Sequence, residues 1–477
     1  MLTHRRRWLA LAVLCLGELM IVLDGTVVNV ALPSIRADLG FSEANLVWVV
    51  NAYMLTYGGF LLLGGRLGDL YGARRLFVGG IALFTLASLA CGLAHTRELL
   101  IVARAVQGLG GAFVSAVALA LMMSLFTEDA ERAKAMGVYG FVCASGGSIG
   151  VLAGGLLTDG LGWHSIFLVN LPIGLAVAAF ALKWLPPDRA PATRTPLDLG
   201  GAFTITGSLM LAVYAIVDGQ RAGWASVQTL ALAAGALALF AAFVAIERRA
   251  PAPLVPFALF RRRNVAAANV VAVLWSVSMF AWFFVIALYL QLVLGWSALH
   301  VGLAFLPANL VMAACSLGLS AMLVMRLGQR TTLTLGLALS TAGLGLFVLA
   351  PAQGEFIAHV LPGMLLLGLG CGIAFNPLLL AAMDGVPEAE AGLASGVVNT
   401  AFMMGGAVGL AALVSLAAMR TEGALAAGAA ETAALHAGYR LALAIGAGCS
   451  LLAALAGAWF MPRRRTPAAV PVATGHP

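Results

Sequence analysis

Charge is what this chain lacks. Only 10% of its 477 residues are Asp, Glu, Lys or Arg, against about 25% in a soluble domain. With 62% hydrophobic residues and a mean hydropathy of +0.99, the shortage excludes a water-soluble globular protein. Lysine occurs only at Lys134 and Lys183, and neither follows a glycine, so there is no phosphate-cradling Walker loop. No histidine precedes a glutamate, which removes the H-E-x-x-H zinc motif, and no G-x-S-G protease elbow occurs. The six cysteines (Cys15, Cys91, Cys143, Cys315, Cys371 and Cys449) stand singly in apolar runs, as small packing residues do, without metal-ligand spacing. These absences argue against a membrane enzyme, and neither a metal nor a bound cofactor is expected.

What is present is a series of apolar runs of the length a bilayer requires, about 20 residues each. The N-terminus, Met1 to Arg7 and then an apolar run, has the outline of a signal peptide. The run continues to about Leu32 without a small-residue cleavage site, so it reads as a first span. Cutting at polar, charged and Gly/Pro breaks gives fourteen spans: 9–32, 46–66, 75–94, 98–123, 134–158, 165–184, 198–217, 228–246, 265–290, 300–325, 331–350, 356–380, 393–417 and 438–461. Twenty-one of the 27 basic residues then fall on one side, among them Arg66, Arg74, Arg75, Arg132, Arg189, Arg194, Arg248, Arg249, Arg261 to Arg263 and Arg463 to Arg465. That asymmetry places both termini in the cytoplasm. It makes the net charge of +7 a topology signal rather than a nucleic-acid footprint. Long proline-marked loops at 184–196 and 247–264 divide the chain into a six-helix bundle (1–190), two additional central helices (191–250) and a second six-helix bundle with a tail (251–477). The loop after span ten, ending Arg326-Leu327-Gly328-Gln329-Arg330, weakly repeats the one after span two, with Met325 where the first has Asp69. Many secondary transporters are built from such repeats.

Three ionisable residues lie inside the spans: Glu18, Asp24 and Arg104. A carboxylate deep in a span costs about 3 kcal/mol on insertion scales, which makes Asp24 a functional candidate, the alternative being an acid that only packs against a neighbouring helix. Arginine does not deprotonate in a protein, so Arg104 needs Asp24, at similar depth, or backbone carbonyls alone. Glu18 lies six residues from Asp24, about 120° round the helix.

Gly65-Arg66-Leu67-Gly68-Asp69-Leu70-Tyr71-Gly72-Ala73-Arg74-Arg75 resembles the cytoplasmic loop signature of the major facilitator superfamily, G-x-L-[AG]-D-x-x-G-x-[RK]-[RK]. The resemblance implies a gate in which Asp69, Arg74 and Arg75, with Gly65 and Gly72, lock one bundle against the other. Arg104-Ala105-Val106-Gln107-Gly108-Leu109-Gly110 resembles the superfamily's R-x-x-[QG]-G-x-[GA] motif. Gly146, Gly150, Gly154 and Gly155 resemble its antiporter signature, with Val151 in place of the usual proline. Leu23-Asp24-Gly25-Thr26-Val27-Val28-Asn29-Val30-Ala31-Leu32-Pro33 is similar to the first-span signature of the fourteen-helix drug:proton antiporters (EmrB/QacA type). Trp163 to Gly174 and Gly392 to Thr400 resemble two further segments of that family. Departures are His164 and Ser165 in one, and Phe402 and Met403 after the other.

The resemblance implies an all-α membrane protein of the major facilitator fold, with two six-helix bundles plus two central helices. It also implies a likeness to antiporters that exchange protons for lipophilic, mostly cationic drugs or toxic compounds across the cytoplasmic membrane. The expected partners are a small lipophilic substrate, protons and the bilayer, with the proton motive force in place of a cofactor, no nucleic acid and a monomeric chain. An exporter of an endogenous metabolite, lipid or antibiotic fits the same residues. Asp24, Arg104 and Glu18 are the expected proton-coupling residues. Asn29, Trp48, Asn51, Tyr53, Gln107, Trp275, Trp282, Asn309, Asn376 and Asn399 are expected to line the substrate cavity, joined by Phe280, Phe283 and Phe284. Aromatic faces bind lipophilic cations, and the asparagines beside Pro307 and Pro377 are expected to mark interruptions in spans ten and twelve.

Overall fold

In a bilayer the backbone must satisfy its own hydrogen bonds, and a chain this apolar does so by forming helices. The computed structural model describes residues 4–126, 128–188, 198–384, 386 and 388–461, and contains no strand among them. The expected 190/191 boundary, Arg189, Arg194 and Arg463 to Arg465 lie outside the described residues, as do the side chains of Asp69, Arg132 and Cys143. We number the long helices α1 (His4–Leu39), α2 (Trp48–Tyr71), α3 (Ala73–Gly92), α4 (Arg97–Leu125), α5 (Asp129–Leu161), α6 (Ser165–Trp184) and α7 (Leu199–Ala222). The remainder are α8 (Val227–Arg249), α9 (Arg263–Val293), α10 (298–327), α11 (Gln329–Leu349), α12 (Phe356–Met383), α13 (Glu388–Ala426) and α14 (Glu431–Phe460).

Eleven helices among the described residues are long and apolar enough to cross a membrane, and the expected spans 46–66, 134–158 and 300–325 fall on α2, α5 and α10. Polar side chains set several starts: Thr96, Asp198, Ser226 and Ser297 each accept an otherwise unpaired amide of the first turn. The expected interruptions at Pro307 and Pro377 are corrected, because both prolines stand inside unbroken α-helix. Irregularity appears instead as π turns at Ala281–Val285 and Tyr289–Val293 in α9, Cys315–Leu319 in α10 and Phe356–Val360 in α12. A proline inside a membrane helix is tolerated where neighbouring groups take up the freed carbonyls.

Helices α1 to α6 pack around one another, as do α9 to α14. Missing side chains set the closest approaches. A Cβ on Gly110 of α4 would lie 2.7 Å from the Phe84 nitrogen of α3, and one on Gly370 of α12 would lie 2.5 Å from the Gly336 carbonyl of α11. The same contact thus recurs eight helices apart. Helix α7 rests against α2 and α13, with Phe203 edge-on to Phe60 and Tyr214 beside Trp48. Helix α8 packs on α7, leaving its other sides uncovered.

At the end away from the basic loops, the two bundles close on backbone. The Gly155 position of α5 lies against Ala298 and Leu299, and Gly302 of α10 lies against the Val151 carbonyl. Asp159 accepts the Leu299 amide at 2.9 Å, and Gln291 donates to the Val30 carbonyl at 3.0 Å. At the other end a cavity of about 1670 Å³ opens between the bundles, reaching Arg66, Ala73, Leu254 and Arg262.

Candidate functional site

Two carboxylates of α1 have opposite surroundings. Asp24 is fully buried and absent from the cavity wall, and its oxygens accept from Arg104 (2.5 Å), Gln107 (2.7 Å) and Asn170 (3.0 Å). Ser88 ties Gln107 and Asn170 together from α3, at 2.7 and 3.3 Å. Arg104 also donates Nε to the Val49 carbonyl at 2.9 Å and lies 4.4 Å from the Tyr53 ring centre. The guanidinium is therefore satisfied by both partners open to it from sequence, an acid and a carbonyl. Gly108 makes this approach possible, because a Cβ there would sit 2.3 Å from the Tyr53 carbonyl oxygen.

Glu18 is the only acid among the described residues that line the cavity. Ser115 of α4 bonds both its oxygens, at 3.0 and 3.1 Å, and Tyr139 of α5 bonds it as well. The turn of about 120° between positions 18 and 24 thus separates an acid facing the cavity from one sealed behind Arg104, which itself reaches the wall.

The wall mixes aromatic and thioether groups. Tyr53, Tyr57, Trp275, Phe280, Phe283, Phe375 and Phe402 stand with Met54, Met279, Met312, Met383 and Met403. Phe402 and Met403, departures from the family pattern, are thus part of the wall. Asn29, Asn376 and Asn399 also line it, Asn376 donating to the Ser316 carbonyl at 3.0 Å. The Tyr53 hydroxyl and the Trp275 indole nitrogen, on two residues of the wall, are buried without a hydrogen-bond partner.

Six expected cavity residues stand elsewhere. Trp48 packs on Tyr214 of α7, Asn51 is buried and donates to the Ala407 carbonyl of α13 at 2.8 Å, and Gln107 belongs to the Asp24 network. Trp282 donates to Met364 Sδ at 3.3 Å between α9 and α12. Asn309 is fully buried in α10, away from the wall, with both side-chain polar atoms unpaired. Phe284 is likewise buried outside the wall. Helical periodicity cannot separate these faces, because every face of a membrane helix is apolar.

Gly65 lines the cavity mouth, and Gly72 turns the chain at φ +99° between α2 and α3. Among the described side chains, the carboxylate that meets the turn is Asp188, past the end of α6. It accepts the Arg74 amide at 2.8 Å and the Arg75 amide at 3.1 Å, while the Arg74 side chain donates to the Leu182 carbonyl. No sequence signal pointed to Asp188, which is 114 residues from Arg74. Gly146, Gly150 and Gly154 of α5 fit against Val22, Thr26 and Val27 of α1, and Gly155 faces α10. The stripe therefore joins α5 to α1 on one side and to the second bundle on the other.

The Major Facilitator Superfamily model matches residues 14–410. A puromycin resistance protein from Streptomyces alboniger is 40% identical over 97% of this chain and 93% of that protein. A cephamycin export protein from Amycolatopsis lactamdurans is 38% identical over 87% and 86%. Among solved structures, the POT family transporter PepTSo superposes with a TM-score of 0.69 at 17% identity, covering 96% of this chain and 98% of that one.

Proposed function

We propose, from the premise that this chain belongs to the Major Facilitator Superfamily, that it exports lipophilic, mostly cationic compounds in exchange for protons. It is a multi-pass membrane transporter rather than an enzyme, and the cavity is its substrate chamber. One observation carries the reading: a large aromatic chamber, open at one end only, holds a single carboxylate, Glu18, among its described lining residues. A substrate ammonium and a proton would compete for that carboxylate. Asp24, behind the wall, and Arg104, which reaches it, would act as the coupled pair. Protonating Asp24 would leave the buried Arg104 without its counter-charge, so the proton and the packing of α1 on α4 would change together. Alternating access would then break the backbone contacts of α5 with α10 and close the mouth at Arg66 and Arg262. The basic loops mark the cytoplasmic side, with both termini there, and a single chain holds the whole path, which favours a monomer.

Proteoliposomes test this with ethidium as the lipophilic monocation and an imposed pH gradient. Wild-type protein should accumulate the dye, whereas Glu18→Gln and Asp24→Asn, reconstituted to the same level, should not. Accumulation by both variants at the wild-type rate would remove these two carboxylates from the proton path and overturn the mechanism. A second reading, export of a compound the cell makes, is favoured by the likeness to a cephamycin export protein. A deletion strain would then retain a secreted metabolite that the parent strain releases, whereas loss of a drug pump alone would leave the metabolite pool unchanged.

A further inference from the structure

The two additional helices carry a pair of acids that the transport path does not use. Asp198, at the start of α7, caps the helix with Oδ1, which accepts the Gly201 amide at 2.6 Å. Glu247, in the last turn of α8 and beyond the apolar stretch 228–246, accepts the Val255 amide through Oε2 at 3.2 Å. The second oxygens of both, Asp198 Oδ2 and Glu247 Oε1, are buried and have no partner. Both crowd the same point, where a Cβ on Gly201 would lie 2.7 Å from one and 2.8 Å from the other. The side chains are nearly closed off, at 9% and 3% exposure. No described residue forms an ion pair with either. Arg248 and Arg249 on the last turn of α8 are exposed, and Arg66 of α2 and Arg262 face the cavity.

Two like charges crowded against one point repel each other, and a buried acceptor oxygen without a donor is costly. One hydrogen cures both faults: the O–H of one carboxyl donates to the free oxygen of the other. We propose that Asp198 and Glu247 bind a single proton between them, a titratable site on the additional helix pair separate from the substrate chamber. A cleft of about 380 Å³ lined by Asp198 and Arg249 gives that proton a way to the solvent. The site also has something to move. Glu247 holds the Val255 amide, and the neighbouring Leu254, Pro256, Ala258 and Leu259 line the mouth of the cavity. Loss of the proton sets two like charges against each other and frees the connector between α8 and α9, so this inference stands whether or not the chain exchanges protons for drugs.

The test is hydrogen exchange across 250–260 in the full-length protein in nanodiscs, corrected for intrinsic rate, with an infrared spectrum of the protonated-carboxyl band over the same pH series. In wild type, protection of the connector should fall with rising pH by up to about tenfold per pH unit, and the band should fade with it. In Glu247→Gln the amide donates to Asp198 while its oxygen still accepts from Val255. Protection should then be high and flat across pH, and the wild-type band should be missing. Asp198→Asn, which offers the reciprocal donor, should behave alike and replaces the first variant should that one fail to fold. Wild-type protection independent of pH, or a Gln variant that keeps the wild-type profile, overturns the proposal. So does a profile that shifts with added Na⁺ or Ca²⁺ at fixed pH, which would assign the site to a metal ion.

Discussion

Arg104 shows how little freedom a charge has inside this molecule. It is fully buried, and its guanidinium spends its donors on Asp24, Gln107 and the Val49 carbonyl. Removing one member of a buried pair strands the other, at about 3–5 kcal/mol. Asp24→Asn is therefore expected to lower thermal stability in detergent by an amount of that order, and Asp24→Asn with Arg104→Gln to recover part of it. A single Asn variant as stable as wild type would show that the pair does not neutralise itself. Gly72 gives a second test. Its φ of +99° disfavours a side chain, and a Cβ would lie 2.2 Å from the Asp188 carboxyl carbon. Gly72→Ala should lose more than about 1 kcal/mol, and adding Asp188→Gly, which also removes the Asp188 Cβ 2.6 Å away, should return the steric part but not the backbone part, as a double-mutant cycle of unfolding midpoints would reveal.

Among the helices, the contact of α5 with α10 decides which end is closed. It is made from two glycines, Gly155 and Gly302, the backbone that faces them, and the Leu299 amide held by Asp159. Gly155→Leu should wedge the pair apart, since Ala298 and Leu299 lie within 3 Å of the missing Cβ. Spin labels at positions 160 and 296 should then report a longer distance than in wild type. An unchanged distance would mean the helices can shift past a leucine without opening. The number and order of the helices were legible in the sequence because a bilayer demands long apolar runs, though helix ends overrun the apolar stretch, as α13 (Glu388–Ala426) does the expected 393–417. The pairing of Asp24 with Arg104 was also legible, because charges in apolar segments must find each other. Trp48, Asn51, Trp282 and Asn309 were misjudged for the converse reason. Residue type tells that a helix is in the membrane, but not which side faces the neighbour, the lipid or the chamber. Asp188 escaped altogether, since a loop carboxylate becomes a helix cap only once two distant turns are brought together.

For the molecule as a whole, the proposed exchange fixes how each driving force should act. One proton exchanged for a monovalent cation moves no net charge, so only the pH gradient would drive it, at about 1.4 kcal/mol or tenfold per pH unit. A neutral substrate would add about 2.3 kcal/mol per 100 mV, and with one pH unit the two together sustain roughly a 500-fold gradient. Collapsing the membrane potential with valinomycin and K⁺ should therefore leave ethidium accumulation in proteoliposomes intact while reducing that of a neutral substrate. Equal sensitivity of both would exclude a one-for-one exchange.

The closure of α5 on α10 has a consequence for how such a pump can change over generations. Its contacts run through backbone groups and glycines, which tolerate almost no substitution. The chamber wall of Met54, Met279, Met312, Met403 and the phenylalanines consists of side chains that repack readily. Variation is thereby channelled to the wall. A lineage can acquire a new substrate range while its moving parts stay as they were.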